Sequence, residues 1–169
     1  TGMVAHVSMA EPICPRLAGF AAQAARAAGA PVHDGGTYLA MEGPQFSTLA
    51  ESQLYRSWNC SVIGMTNMPE AKLAREAELP YASIGMVTDY DGWHEEFAPV
   101  EVADILAVLM DNSRKAADAV GHLASALKGP RSASPIDTCL DGAIITAPAM
   151  RDPALMAKLD VVAGRVLRA

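Results

Sequence analysis

Cysteine is scarce in this chain. Only Cys14, Cys60 and Cys139 occur among 169 residues. They form no CxxC pair and no metal-type spacing, and an odd number argues against a disulfide framework. A reduced, cytoplasmic compartment is the expectation. Basic clusters are absent as well: 13 Lys and Arg stand against 19 Asp and Glu, a formal net charge of −6. That balance disfavours nucleic acid and anionic membrane as partners, so any phosphate would be bound locally, by backbone amides and a few side chains. No apolar run reaches the roughly 18 residues of a membrane-spanning helix. The opening TGMVAHVSMAEP has no charged n-region and no signal-peptide h-region. It lacks an initiator Met and begins as though in mid-strand, which points to a fragment or a processed chain. No internal repeat is present. GxGxxG, P-loop and GxSxG patterns are missing, so dinucleotide, nucleoside-triphosphate and serine-hydrolase functions lack their usual supports.

What remains is the profile of a globular domain. Half of the residues are hydrophobic and 19% are charged, and the length suits one domain with a real core rather than two. Met3 to Val7 reads as a short strand. Arg16 to Ala28 reads as an Ala-rich helix closed by Gly29 and Pro31. Val32 to Met41 reads as a strand pair or bent strand broken at Asp34-Gly35-Gly36. A loop follows, Glu42 to Thr48, and Thr48 with Glu51 has capping-box spacing for a helix to about Trp58. Ser61 to Gly64 is a short buried strand, and a helix begins at Thr66 to Pro69. Tyr81 to Thr88 is an apolar run of strand length. The longest helix follows Pro99 and reaches about Leu127, with Val100, Ala103, Leu106, Met110 and Ala117 at helical spacing. Residues 128–135 form a linker, and a last helix spans Pro153 to Leu167. Alternating strands and helices predict an α/β domain with a mixed or parallel sheet.

Ligands of open α/β sheets sit beyond the carboxyl ends of strands. One such end is Val62 to Thr66, where a strand runs into a helix start and unpaired amides suit phosphate or sugar oxygens. Thr66 as an ordinary cap explains the same residues. The other end is Met86 to Trp93, which delivers Asp89 and Asp91 two residues apart. Extended backbone would put both on one side, and two acids in an apolar crevice favour one retained proton, as a general acid requires. Capping or solvent exposure explains them equally. His94-Glu95-Glu96 is not HExxH, so a metal is not expected. His6, His33 and His122 read as core or surface histidines.

Four stretches acquire meaning together: HVSMAEPICP, EGPQFSTLAES, IGMTNMPEAKLAREA and YASIGMVTDYDGW. In order and spacing they resemble the methylthioadenosine phosphorylases, members of the trimeric purine-nucleoside phosphorylases. The resemblance covers about residues 1–127 and is weaker beyond. It implies a purine nucleoside phosphorylase-like α/β fold, a mixed twisted sheet flanked by helices. It implies a homotrimer or trimer-based oligomer that binds a purine nucleoside and orthophosphate, with phosphate as co-substrate and no other cofactor or metal. Phe46 would then pack on the base, and Ser47 would help set its identity. Met65 would lie against the ribose, and Thr66 would offer its hydroxyl to phosphate. Asp89 would contact N7 and the 6-amino group as catalytic residue, with Tyr90 at the substrate and Asp91 behind as partner. Val102, Ile105 and Leu106 would line a 5′-methylthio pocket. His6 would reach into a neighbouring subunit's site.

The chain departs from that family in lacking the upstream portion with a phosphate-binding Thr/Ser loop, an Arg-His pair and further sheet strands. The implication is a nicked enzyme with its other piece as a separate chain, a truncated chain, or a record of the C-terminal part only. The expected reaction is phosphorolysis of S-methyl-5′-thioadenosine to adenine and 5-methylthioribose 1-phosphate. Two alternatives stand beside it. One is a methylthioinosine or general purine-nucleoside phosphorylase, and the other is an inactive fragment acting as an oligomerisation module.

Overall fold

The computed structural model describes residues 2–93 and 102–168, with backbone alone for 102–105. Among the described residues the order is α1 (Pro15–Ala27), β1 (Tyr38–Ala40), α2 (Leu49–Ser57), β2 (Val62–Gly64), α3 (Asn67–Glu76), α4 (Val102–Ala126) and α5 (Pro153–Leu167), with two short 3-10 turns before α5. Strands thus alternate with helices, as expected of an α/β chain. The chain divides into two compact units, one of residues 1–17, 69–82 and 130–169, the other of 18–68 and 83–129.

In the first unit a cluster of Leu140, Ala143, Ala163 and Leu167 is packed by Met3, Val7, Ile144, Met156 and Leu159. Asp152 starts α5 by accepting from the Ala154 amide at 2.8 Å, with Pro153 in the first turn, where its missing N–H is no loss. The expected strand at Met3 to Val7 is a single antiparallel bridge, Ala5 with Ile144, flanked by His6 N donating to the Ala143 carbonyl at 2.9 Å. α3 ends with Glu78 at φ +55, while the Leu79 amide donates back to the Ala74 carbonyl. That left-handed cap normally goes to Gly or Asn. Here the Glu78 carboxylate is occupied, accepting from the Leu140 amide at 3.0 Å and from Arg165 Nε at 2.9 Å. The Arg165 hydrogen bonds hold its carboxyl below the usual carboxylate range. The side-chain anchor offsets the backbone strain.

In the second unit α1 buries Ala21, Ala22, Ala24 and Ala25. It closes through Ala30 N to Ala25 O and Gly29 N to Arg26 O, with Gly29 at φ +75. β1 and β2 form a parallel pair with Tyr38 opposite Val62 and Ala40 opposite Gly64. Of Val32 to Met41 only Tyr38–Ala40 is strand. Gly35 and Gly36 sit at φ +88 and +115, and a Cβ on Gly36 would meet Ser61 Oγ at 2.6 Å. The larger correction concerns Tyr81 to Thr88, which forms no ladder. Apolar composition specifies burial, but a strand exists only where a neighbour pairs its amides and carbonyls. Ile84, Met86 and Val87 are 44%, 48% and 62% exposed, and the Val87 carbonyl accepts from Asn112 Nδ2 on α4 at 3.0 Å.

Candidate nucleoside site

Parallel pairing sends β1 and β2 out of the sheet at the same edge. Past that edge, Met41 N still donates to the Gly64 carbonyl at 2.9 Å. β1 therefore delivers residues 42–48 next to the Met65-Thr66 turn that leaves β2. The approach is tight, since a Cβ on Gly43, at φ +70, would stand 2.6 Å from Met65 Sδ. Only glycine satisfies both the dihedral and the space. Two stretches singled out in the sequence are in this way pressed together at the strand ends, where α/β sheets bind ligands.

Thr48 closes the loop and starts α2. Its hydroxyl accepts from the Glu51 amide at 3.3 Å, while the Glu51 carboxylate accepts from the Thr48 amide at 2.7 Å and hydroxyl at 2.8 Å. The hydroxyl of Ser47, just before the cap, donates to the Asp91 carboxylate at 3.3 Å and 3.4 Å. Ser52 Oγ, on the first turn of α2, donates to Asp91 Oδ2 as well. One turn further, the Arg56 guanidinium lies 3.6 Å from the centre of a Trp93 ring, over its face. Trp93 meets Tyr90 edge-on at 5.8 Å. The third stretch, Asp89 to Trp93, is therefore fastened to the same helix and loop.

Of the expected site residues, Phe46, Ser47, Met65, Thr66 and Asp89–Asp91 all belong to the second unit. Ser47 and Asp91 touch, so Ser47 spends its hydroxyl on the carboxylate. Phe46 is 84% exposed and Tyr90 61% exposed. Thr66 is exposed immediately ahead of α3. Asp89 is exposed too, and accepts from the neighbouring Thr88 hydroxyl at 2.5 Å. Leu106 lies on α4 and is 52% exposed. Val102 and Ile105 fall on the first turn of α4, their side chains outside the described residues, as are His94 to Glu96. His6 is in the first unit, exposed, on the bridge to residues 143–144. Among the described residues no group of three His, Cys, Asp or Glu is placed to hold a metal ion. No described helix is long and apolar enough to cross a membrane.

The sequence pattern missed Ser52 and Arg56. Ser52 is 1% exposed, the most buried polar side chain among the described residues. The available signal was their spacing of four from each other and of four and eight from Thr48, which puts both on one face of α2. An apolar hollow lined by Glu11, Ile13, Cys14, Arg75 and Ser134 to Ile136 lies in the first unit. It gathers no catalytic set, and Arg75 there donates to the Glu11 carbonyl.

Three loops gather at the carboxyl edge of a parallel strand pair, the place where α/β sheets bind ligands. A profile of the phosphorylase superfamily matches residues 2–127, and the chain belongs to that superfamily. The S-methyl-5′-thioadenosine phosphorylase of Cereibacter sphaeroides is 60% identical over 99% of this chain and 59% of its own length. That of Bradyrhizobium diazoefficiens is 57% identical, over 99% of this chain and 58% of its own. Among solved structures, a methylthioadenosine phosphorylase from an antarctic soil metagenomic library superposes with a TM-score of 0.87 at 38% identity, covering 95% of this chain and 57% of that one. The Schistosoma mansoni methylthioadenosine phosphorylase, in complex with adenine, gives 0.74 at 28% identity, over 85% and 57%. The fold is accordingly that of the phosphorylase superfamily, of which this chain spans a little under three fifths of the relatives' length.

Proposed function

We propose that this chain is the nucleoside-binding part of an S-methyl-5′-thioadenosine phosphorylase. The observation that carries the proposal is the gathering of the 42–48 loop, the Met65-Thr66 turn and the Asp89–Asp91 segment around one strand edge, in a chain 60% identical to a protein of that name. In this reading the adenine ring lies on Phe46, with Tyr90 nearby. Asp89 accepts from the 6-amino group and shares a proton with N7, and Asp91 stands behind it. Met65 packs on the ribose, and Thr66 offers its hydroxyl to phosphate. Val102, Ile105 and Leu106 receive the methylthio group, and His6 completes a neighbouring subunit's site in a trimer.

The reaction breaks the N9–C1′ bond, and its electron pair stays with the purine. A proton at N7, held by Asp89, neutralises that charge, help worth about 10²–10⁴ in rate. A phosphate oxygen stabilises the oxocarbenium-like sugar from the opposite face and forms the new bond to C1′. Neither metal nor organic cofactor is needed, because the two substrates bring both electrophile and nucleophile. The setting we propose is the cytoplasm, in purine and methionine salvage. The test is phosphorolysis by the complete protein, with products identified by mass. Adenine and 5-methylthioribose 1-phosphate are expected from methylthioadenosine. Preference for methylthioinosine would move the assignment to a 6-oxopurine phosphorylase, and no turnover of either would overturn it.

A further inference from the structure

The geometry points to Ser52 as a positioning residue that sets base selectivity through Asp91. Three contacts from α2 and the residue ahead of its cap converge on one short segment. Ser47 and Ser52 both donate to the Asp91 carboxylate, and Arg56 covers the Trp93 ring. Ser52 and Arg56 are four apart on one helix face, so together they grip the segment at two points two residues apart. Ser52 differs from its neighbours in being sealed from solvent at 1% exposure, while Leu49, Leu54 and Trp58 on the same stretch are 54%, 46% and 57% exposed. A hydroxyl with no water to turn to donates in one direction, and a carboxylate that receives it is fixed in rotation as well as in place. Asp89 is two residues away and accepts only a local hydroxyl, from Thr88, among the bonds described for its side chain. Its register against Phe46 is therefore inherited from the grip on Asp91 to Trp93.

The inference rests on the proposed reading of Asp89 as the group facing N7 and the 6-amino substituent. A 6-amino base gains from a carboxylate held in one place, whereas a 6-oxo base, presenting an acceptor there, gains little from the same rigidity. Ser52 thus contributes to the choice of base without touching it.

In the complete protein, kcat/KM is measured for methylthioadenosine and methylthioinosine with wild type, Ser52→Ala, Asp91→Asn and the double variant, together with thermal unfolding midpoints. Ser52→Ala is expected to lose about 10–100-fold on methylthioadenosine, the range for one hydrogen bond to a charged group, and several-fold less on methylthioinosine. In the Asp91→Asn background the same substitution should have a much smaller effect, because the acceptor it served has changed. Ser52→Cys keeps the volume with a weak donor, and takes the place of Ser52→Ala in the cycle should the alanine variant fail to fold. Equal losses on both substrates, an undiminished effect beside Asp91→Asn, or no effect at all would each overturn the inference. Inactivity of the wild type on both nucleosides would instead remove the functional proposal on which it rests.

Discussion

Asp89 and Asp91 look interchangeable in sequence, two acids two apart after an apolar run. The structure separates them. Asp91 receives the hydroxyls of Ser47 and Ser52, while Asp89 stays exposed beside Thr88. Which acid is held by neighbouring hydroxyls was not legible from their spacing, because the partners that bind Asp91 lie 44 and 39 residues earlier. Thr48 and Glu51 were legible, since a capping box is written within four residues. The exposed acid, Asp89, is the one expected to choose the base. Asparagine at position 89 offers an NH₂ to a 6-oxo group, and its single carbonyl oxygen cannot both accept from a 6-amino group and pass a proton to N7. Asp89→Asn in the complete protein should therefore lower kcat/KM for methylthioadenosine by about 10²–10⁴ and for methylthioinosine far less. Paired measurements with both nucleosides decide the matter, and equal losses would restrict Asp89 to proton handling.

At the scale of elements, helices are legible in the sequence and strands less so. α5 spans Pro153–Leu167 as expected, and α1 and α2 fall within a residue or two of their signals, because caps and periodicity are local. Strands need partners from elsewhere, so Tyr81 to Thr88 carried the composition of a buried strand without a ladder to join. The cap of α2 has a consequence for the site, since that helix presents Ser52 and Arg56 to the Asp91–Trp93 segment. Thr48→Ala should destabilise the fold by about 0.5–2 kcal/mol. It should also raise KM for the nucleoside more than it lowers kcat. Thermal unfolding and steady-state kinetics test the two halves, and an unchanged KM would detach α2 from the site. The first unit supplies a pH dependence of its own. Arg131 Nη1 donates to Asp137 Oδ2 at 2.8 Å, and the Ser134 amide donates to the same oxygen at 2.8 Å. Chiefly through Arg131, the carboxyl is lowered from 3.8 to about 2. A carboxyl depressed in the folded state stabilises above its ordinary value, and that contribution is lost as pH falls from 3.8 toward about 2. Glu78, lowered by Arg165, adds a loss of the same sign. The unfolding midpoint should hence fall less steeply in Asp137→Asn than in wild type across that window. Parallel curves would mean the pair does not form.

The whole molecule sets the limits on chemistry. The first unit has its own apolar cluster around Leu140 and Leu167, and the second holds the parallel pair with the three loops at its edge. Phe46, Asp89 and Tyr90, the residues proposed to face the base, all lie in the second unit. For phosphate the resemblance supplies Thr66 alone. A dianion in a productive site needs several charge-assisted donors at once, from amides, hydroxyls and guanidinium. Removal of even a single transition-state donor lowers kcat by about 10²–10³. The relatives are longer, with this chain covering 59% of the Cereibacter protein and 57% of the metagenomic one. A protein of these 169 residues alone should consequently bind adenine weakly and turn over methylthioadenosine at least about 10²-fold more slowly than the complete protein. Intact mass must first establish that no other polypeptide is present. Adenine release is then followed at saturating phosphate, with the complete protein assayed in parallel. Adding the remaining segment as a separate polypeptide should recover activity if the two pieces assemble. Full-rate phosphorolysis by the single chain would show that Thr66 and its neighbouring amides hold phosphate without help, and would overturn the dependence of phosphate binding on the remaining segment.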